Sequence, residues 1–354
     1  MSQQQIQVLV VDDSAVVRGL IARALETDPA ITVAGTAMHG EAALTWMRKH
    51  PVDVVILDVE MPVMDGLTAL GCIQSEFPRV KVIMASALTQ EGAETTVKAL
   101  ALGAADCIAK PVSNSTADSI SQLLEELAPL VKALGRHTPE RSHARSTRVA
   151  SHRNSDHHAA PLAVVIGTST GGPNALTSLL TALPTDFPLP ILIVQHMPPT
   201  FTPMLAKHLG QDTGRPCIEA IDGGLIERGH TYVAPGDYHL FVDKQEDHMV
   251  TRLNQGPKEH YCRPSVNPLF ESAAEWYRKS LLAVMLTGMG DDGIEGTRKI
   301  VASGGQVIAQ DEESSVVWGM PGAVVNENLA QSVLPLEEIA SAILELTTAE
   351  IGRR

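Results

Sequence analysis

Two sets of polar residues stand at the ends of apolar runs, one in each half of a 354-residue chain. In the first half Asp12 and Asp13 follow IQVLVV, Asp58 closes VDVVIL, Ser86 follows VKVIMA and Lys110 follows DCIA. In an open parallel sheet the carboxyl ends of the strands share one edge, so these groups should converge there. Three carboxylates that close would resist ionising together. A hard divalent cation relieves the repulsion, and Mg²⁺ suits a shallow carboxylate site that keeps several of its waters. With a lysine and a hydroxyl added, the set fits a small dianion such as a phosphoryl group. Asp58 would be the nucleophile that becomes an acyl phosphate, with Ser86 and Lys110 on the phosphoryl oxygens. Singly, an Asp-Asp pair is a common turn and Lys-Pro is unremarkable. Their order at successive strand ends carries the reading.

The second set begins in VVIGTSTGGPNAL, Val164 to Leu176, where an apolar run breaks into a glycine-rich turn. A phosphate-cradling P-loop needs a lysine after the second glycine, and Pro173 stands there. A dinucleotide turn needs a second glycine where Ser169 sits and an acid about 20 residues on, and the next strand ends instead in Gln195 and His196. Gly167 to Gly171 does match GxSxG, the sharp strand-to-helix turn that lifts a serine hydroxyl above a sheet edge. The match is weak alone and gains force from its neighbours. His196 ends ILIVQ, and Asp291 and Asp292 lie just beyond LLAVML. A lone histidine at a strand end is more often structural, but its coincidence with a serine and an aspartate on one edge favours catalysis. Neutral imidazole would take the serine proton, and a carboxylate on the far ring nitrogen would fix the tautomer. Backbone N–H groups of Thr170 and Gly171, opening the next helix, are natural oxyanion donors. The spacing does not choose between Asp291 and Asp292. The motifs around Ser265 and Asp237 read as turns and packing.

The elements that position these residues alternate along both halves. IQVLVV, ITVAG, VDVVIL, VKVIMA and DCIAK read as strands separated by helical patterns, and SISQLLEELAPLVKAL as a closing helix. Strands apolar throughout suggest parallel sheets covered on both faces. Gly135 to Ala160 is rich in Arg, His and Ser with one valine as its large apolar residue, which predicts a flexible linker. In the second half AVVIG, ILIVQH, LLAVML and GQVIAQ are clear strands, and HTYVAPG, HLFVD and MVTRLN suggest shorter, partly antiparallel pieces. The predicted fold is α/β, two doubly wound domains with mainly parallel sheets, at 1–134 and 161–350 on either side of the linker.

Composition narrows the function. A formal net charge of −14 and 3% aromatic residues argue against a duplex-DNA footprint and base-stacking platforms. Four scattered cysteines without a CxxC suggest a reduced intracellular chain. No run approaches the ~20 apolar residues of a membrane span, and the N-terminus lacks a basic n-region, so a soluble, cytoplasmic protein is expected.

Family resemblance adds to this. VVDDSAVVR, LDVEMPVMDG, MASA and AKP resemble a two-component receiver domain of flavodoxin-like fold over about Ile6 to Ala128. The resemblance implies that Asp58 accepts phosphate from a sensor histidine kinase. It also implies Mg²⁺ held by Asp13, Asp58 and the carbonyl of Glu60, with Asp12 assisting. Cys107 stands where many receivers carry a switching aromatic. GTSTGGP, VQHMP, VAPGDYHL, RPSVNPLFESAA, LTGMGDDG and AQDEESSVVWGMPG are similar to the catalytic domain of the CheB chemotaxis methylesterases, over about Pro161 to Leu334. That likeness implies Ser169 as nucleophile, His196 as base, Asp292 as triad acid and the Met289 N–H in the oxyanion hole. It further implies methyl-accepting chemoreceptors as substrate, no cofactor for the hydrolysis, and an activity gated by the receiver. A DNA-binding output would need a basic helix-turn-helix after residue 160, and none is legible. A non-catalytic module using the Ser169 turn for a nucleotide or protein partner is the remaining rival.

Overall fold

In the computed structural model the described residues are 5–87, 89–110, 116–135 and 159–348. They belong to two compact units, Met1–Ser142 and His143–Arg354. The predicted linker at 135–160 lies outside the described residues except at its ends, where Gly135 closes a helix. No described helix is long and apolar enough to cross a membrane.

In the first unit the elements run β1 (Ile6–Val11), α1 (Ala15–Leu25), β2 (Ile31–Ala37), α2 (Gly40–Met47), β3 (Val54–Asp58), α3 (Gly66–Glu76), β4 (Lys81–Ser86), α4 (Gln90–Ala101), β5 (Asp106–Ala109) and α5 (Thr116–Gly135). The sheet is parallel, in the order β2-β1-β3-β4-β5. Every residue of β3 is buried, as its unbroken apolar sequence requires of a strand covered on both faces. Side chains set the helix starts. The Ser14 hydroxyl accepts from the Val17 amide at the head of α1, and Asp65 accepts from Thr68 at 2.8 Å at the head of α3. The strand order reverses between β1 and β3, and the crevice this opens at the carboxyl edge is where Asp12 and Asp58 emerge.

The second unit runs β6 (Ala163–Thr168), α6 (Gly172–Ala182), β7 (Ile191–Gln195), α7 (Thr202–Thr213), β8 (Cys217–Glu219), β9 (Thr231–Val233), β10 (His239–Gln245) and β11 (His248–Asn254). It continues through α8 (Val266–Tyr277), β12 (Leu281–Met285), α9 (Ile294–Ala302), β13 (Gln306–Gln310), α10 (Met320–Asn326), β14 (Ser332–Leu334) and α11 (Leu336–Thr348). Seven strands form one sheet in the order β14-β13-β12-β6-β7-β9-β8, with every pairing parallel. β10 and β11 pair antiparallel as a separate ribbon. Both sheets are thus parallel with alternating helices, as predicted. The shorter pieces are partly antiparallel, as expected: Thr231–Val233 joins the parallel sheet beside β7, and the antiparallel pairing is confined to the β10–β11 ribbon. β8 and β14, three residues each, are too short for apolar periodicity to reveal.

The core of this unit gathers Val165, Leu192 and Val194 from β6 and β7, Phe270 from α8 and Ala283 and Met285 from β12, all fully buried. The chain leaves β6 in one direction towards β7 and returns through β12 on the other side. The sheet therefore reverses at β6, at the exit of the serine turn.

Candidate active site

At the edge of the first sheet, Asp12, Asp13 and Asp58 each bring a carboxylate oxygen within 4.8 Å of the others. Lys110 Nζ lies 2.6 Å from Asp58 Oδ1 and 2.9 Å from Asp12 Oδ2. Arg18 donates to the Asp12 and Asp13 carbonyls at 2.6 and 3.0 Å, and the Ser14 amide donates to Asp12 Oδ1 at 2.8 Å. These bonds fix the turn after β1. Burial is the largest influence on Asp58 and raises its carboxyl above the ordinary range, with Lys110 opposing. Burial depresses Lys110, but its bonds to Asp58 and Asp12 outweigh that and hold the ammonium above its usual range.

Asp58 Oδ2 is buried without a hydrogen-bond partner. An orphaned carboxylate oxygen inside a three-carboxylate cluster is the donor set a hard divalent cation fits. Ser86 is fully buried at the end of β4, and its hydroxyl donates to the Ala87 carbonyl at 3.2 Å. Glu60 presents its amide to Asp58 Oδ1 at 3.3 Å. Cys107, on β5 beside Met84 of β4, has its thiol pushed well above the usual range by burial.

In the second unit, β6, β7 and β12 are neighbours, and their exits carry the other set. Register fixes the spacing, with Thr168 opposite Gln195 and Gly167 opposite Met285. Ser169 and His196 are therefore each the first residue beyond paired positions of adjacent strands. Asp292 follows β12 through the loop 286–293.

The serine turn is pinned from several sides. The Ser169 amide donates to the Thr287 carbonyl at 3.1 Å, and Gln195 Nε2 donates to the Ser169 carbonyl at 2.9 Å. Thr287 Oγ1 donates to the Thr170 carbonyl at 2.9 Å, and Thr168 Oγ1 to the Thr287 carbonyl at 2.9 Å. Gly171 then turns the chain into α6 with φ 78°, a left-handed conformation that glycine takes without strain. Gly288 packs on the turn so closely that a Cβ there would stand 2.9 Å from Ser169 Cβ. Ser169 is half-buried.

His196 Nε2 is 2.7 Å from Asp292 Oδ2. A carboxylate only accepts, so Nε2 carries the proton and Nδ1 is the basic nitrogen. Cys262 Sγ lies 3.5 Å from Nδ1. Among the described residues no hydrogen bond joins Ser169 Oγ to the imidazole, a contact that commonly tightens only when substrate is bound.

Asp292, 2% exposed, is held at the head of α8. Ser265 Oγ donates to Oδ1 at 2.7 Å, the Val266 amide to Oδ2 at 2.7 Å and the Asn267 amide to Oδ1 at 3.4 Å. Those amides are helix-start donors with no partner inside the helix, and the end of the helix dipole there favours a negative charge. Burial alone would raise the Asp292 carboxyl, but its bonds from His196, Val266 and Ser265 hold it below the usual range. Burial likewise opposes charge on His196, yet Asp292 prevails and raises the imidazole above its ordinary value.

The structure thus brings together Ser169, His196 and Asp292, and separates the two aspartates left open by spacing. Asp291 turns outward to His260 Nδ1 at 2.9 Å. Ser265 carries more than the turn-and-packing role its motif suggested: it orients the buried acid. Gln195 and Cys262 are further site residues that the spacing gave no reason to select.

The first unit has the flavodoxin-like strand order of a receiver, and the second carries a hydrolase-type serine turn at its switch point. Together they place the chain among response regulators whose output domain is an enzyme. Sequence comparison makes the assignment specific. The response regulator receiver domain model matches residues 8–121 and the CheB methylesterase model residues 164–343, and the chain belongs to the CheB methylesterase family.

A relative from Rhodospirillum rubrum, a protein-glutamate methylesterase/protein-glutamine glutaminase 1, is 45% identical over 96% of this chain and 94% of its own. A Caulobacter vibrioides relative, protein-glutamate methylesterase/protein-glutamine glutaminase 2, is 46% identical over 95% of this chain and 97% of its own. Among solved structures, the CheB methylesterase catalytic domain of Thermotoga maritima is 43% identical, covering 53% of this chain and all of that one with a TM-score of 0.52.

Proposed function

We propose that this chain is a phosphorylation-activated serine hydrolase that removes methyl esters from glutamate side chains of methyl-accepting chemoreceptors, and also deamidates receptor glutamines. The observation that carries the reading is the 2.7 Å bond between His196 Nε2 and the buried Asp292, at the sheet edge that holds the pinned Ser169 turn.

His196 Nδ1 takes the Ser169 proton as Oγ attacks the γ-carbonyl, and Asp292 stabilises the imidazolium that forms. The Thr170 and Met289 amides receive the developing oxyanion. The tetrahedral intermediate collapses, breaking the C–O bond, and His196 returns its proton so that methanol departs, leaving the acyl group on Ser169. Water, deprotonated by the same nitrogen, then releases the glutamate carboxylate and restores the hydroxyl. For glutamine the leaving group is ammonia.

In the receiver, assigned to 1–134, Asp58 is the phosphoacceptor for a sensor histidine kinase. Asp12, Asp13 and Asp58, with the Glu60 carbonyl, would hold Mg²⁺, which when bound neutralises charge on the transferring phosphoryl group. Ser86 and Lys110 bind the phosphoryl oxygens. The hydrolysis at 161–350 needs no cofactor. Phosphoryl-Asp58 relieves an inhibition that the receiver exerts on the hydrolase, and the 135–160 linker supplies the freedom for that rearrangement. The setting is the cytoplasm, without nucleic acid or membrane insertion.

The test is mass spectrometry of a methylated chemoreceptor fragment incubated with the chain, Mg²⁺ and a small phosphodonor. Conversion of glutamate methyl ester to glutamate, faster with the phosphodonor, supports the proposal. Receptor esters left intact under all conditions refute it.

A further inference from the structure

Between β11 and α8 the chain makes a tight turn, Glu259–His260–Tyr261–Cys262. It is closed by the Glu259 amide on the Cys262 carbonyl at 3.1 Å and the Cys262 amide on the Glu259 carbonyl at 2.8 Å. Both central residues take left-handed backbone, His260 at φ 48° and Tyr261 at φ 64°. Turns with two such positions ordinarily use asparagine and glycine. A histidine and a tyrosine persist there because the surroundings over-determine the conformation.

Those surroundings are the active site. His260 Nδ1 is 2.9 Å from Asp291 Oδ1, and its Nε2 is 3.4 Å from Glu295 Oε2. Cys262 Sγ is 3.5 Å from the basic nitrogen of His196. Arg263 Nη2 donates to Asp237 Oδ1 at 2.6 Å, and Ser265 holds Asp292. The turn is thus tied before Tyr261 to Asp291 and Glu295, and after it to His196 and Asp292 of the triad. Yet Tyr261 itself is 96% exposed, and no hydrogen bond reaches its hydroxyl among the described residues. An aromatic held out by a strained, firmly tied turn is neither a slack loop residue nor a core residue. It is a rigid contact surface with few rotatable bonds to immobilise on binding, the quality that suits tyrosine to recognition.

What lands on it is set by the site. A glutamate side chain reaches only a few ångströms, so a protein whose esterified glutamate meets Ser169 must lay its neighbouring residues on the rim. Tyr261 stands one residue from Cys262, which touches the catalytic imidazole. We propose that Tyr261 is a specificity residue that packs against an apolar side chain flanking the reacting glutamate of the receptor, with no part in bond making or breaking. The inference rests on the methylesterase reading above and adds to it a recognition element for the protein substrate.

The experiment uses the full-length chain and two substrates, a methylated chemoreceptor fragment and p-nitrophenyl acetate, an ester too small to cover the rim. In Tyr261→Ala, kcat/KM on the receptor falls about tenfold, carried by KM, as expected for loss of a central aromatic contact. The same variant hydrolyses the small ester within about twofold of wild type, and Tyr261→Phe keeps most of the receptor activity. An unchanged receptor KM in Tyr261→Ala overturns the proposal. So does a parallel loss on both substrates, which would mark a structural role. If wild type cleaves the small ester through Ser169 but leaves receptor esters intact, the substrate reading has failed and this inference falls with it.

Discussion

Replacing Ser265 with alanine removes one donor from a carboxylate that is 2% exposed and otherwise fully engaged. Asp292 Oδ2 keeps His196 and the Val266 amide, both at 2.7 Å. Oδ1 is left with the Asn267 amide at 3.4 Å, too long to compensate. A hydrogen bond to a charged group contributes about 1.5–3 kcal/mol, and a buried acceptor losing its partner costs the same order. If that strain is expressed as misorientation of the imidazole, kcat/KM falls roughly tenfold to a hundredfold, at 1.36 kcal/mol per factor of ten. Ser265 also caps α8 by accepting from Asn267 at 3.3 Å, so about 1 kcal/mol of stability is lost as well. Ester hydrolysis by Ser265→Ala and Ser265→Thr, with thermal unfolding of both, checks this. The threonine keeps a hydroxyl and should retain more activity than the alanine. Activity within twofold of wild type in a folded Ser265→Ala would refute the reasoning. A collapse as deep as that of Ser169→Ala would also contradict it, because the hydroxyl would then belong to the covalent machinery.

Because Asp292 holds His196 above the ordinary imidazole range, the base is protonated and silent at low pH. The acid limb of the kcat/KM profile should therefore lie above about 6.5, the value of a free histidine. In Asp292→Asn the limb should move to lower pH, with kcat down on the order of 10⁴-fold. Gly288→Ala places a methyl group against Ser169 and Met320. Overpacking of that kind costs about 1–3 kcal/mol, and a lowered melting temperature with impaired hydrolysis is expected. Chelation of Mg²⁺ should abolish stimulation by a phosphodonor and leave basal hydrolysis unchanged, and Asp58→Ala should behave as the chelated protein does. Methanol release with and without the phosphodonor measures both.

The sequence made the sheets and most of the chemistry legible for a simple reason. Parallel strands buried on both faces are apolar from end to end, so VDVVIL and AVVIG announce themselves, and the polar residues that end them lie on one edge by topology. Interactions across the sheet edge were not legible. Ser265 reads as a helix cap, and it is one, but its second role depends on α8 beginning beside the loop that follows β12. Asp291 and Asp292 are adjacent and chemically alike, and only the fold turns one inward to His196 and the other out to His260. Cys262 meets His196 through the Glu259–Cys262 turn, whose left-handed residues are not the ones turn chemistry would nominate. The short edge strands β8 and β14 carry too few residues for any period.

The proposed reaction requires Ser169 to attack the ester carbonyl with His196 and Asp292 behind it. Methanol release from a methylated chemoreceptor fragment, compared between wild type and Ser169→Ala at equal concentration, tests it most directly. A loss of at least about a thousandfold in the variant is predicted. Methanol released by Ser169→Ala at the wild-type rate would contradict the account.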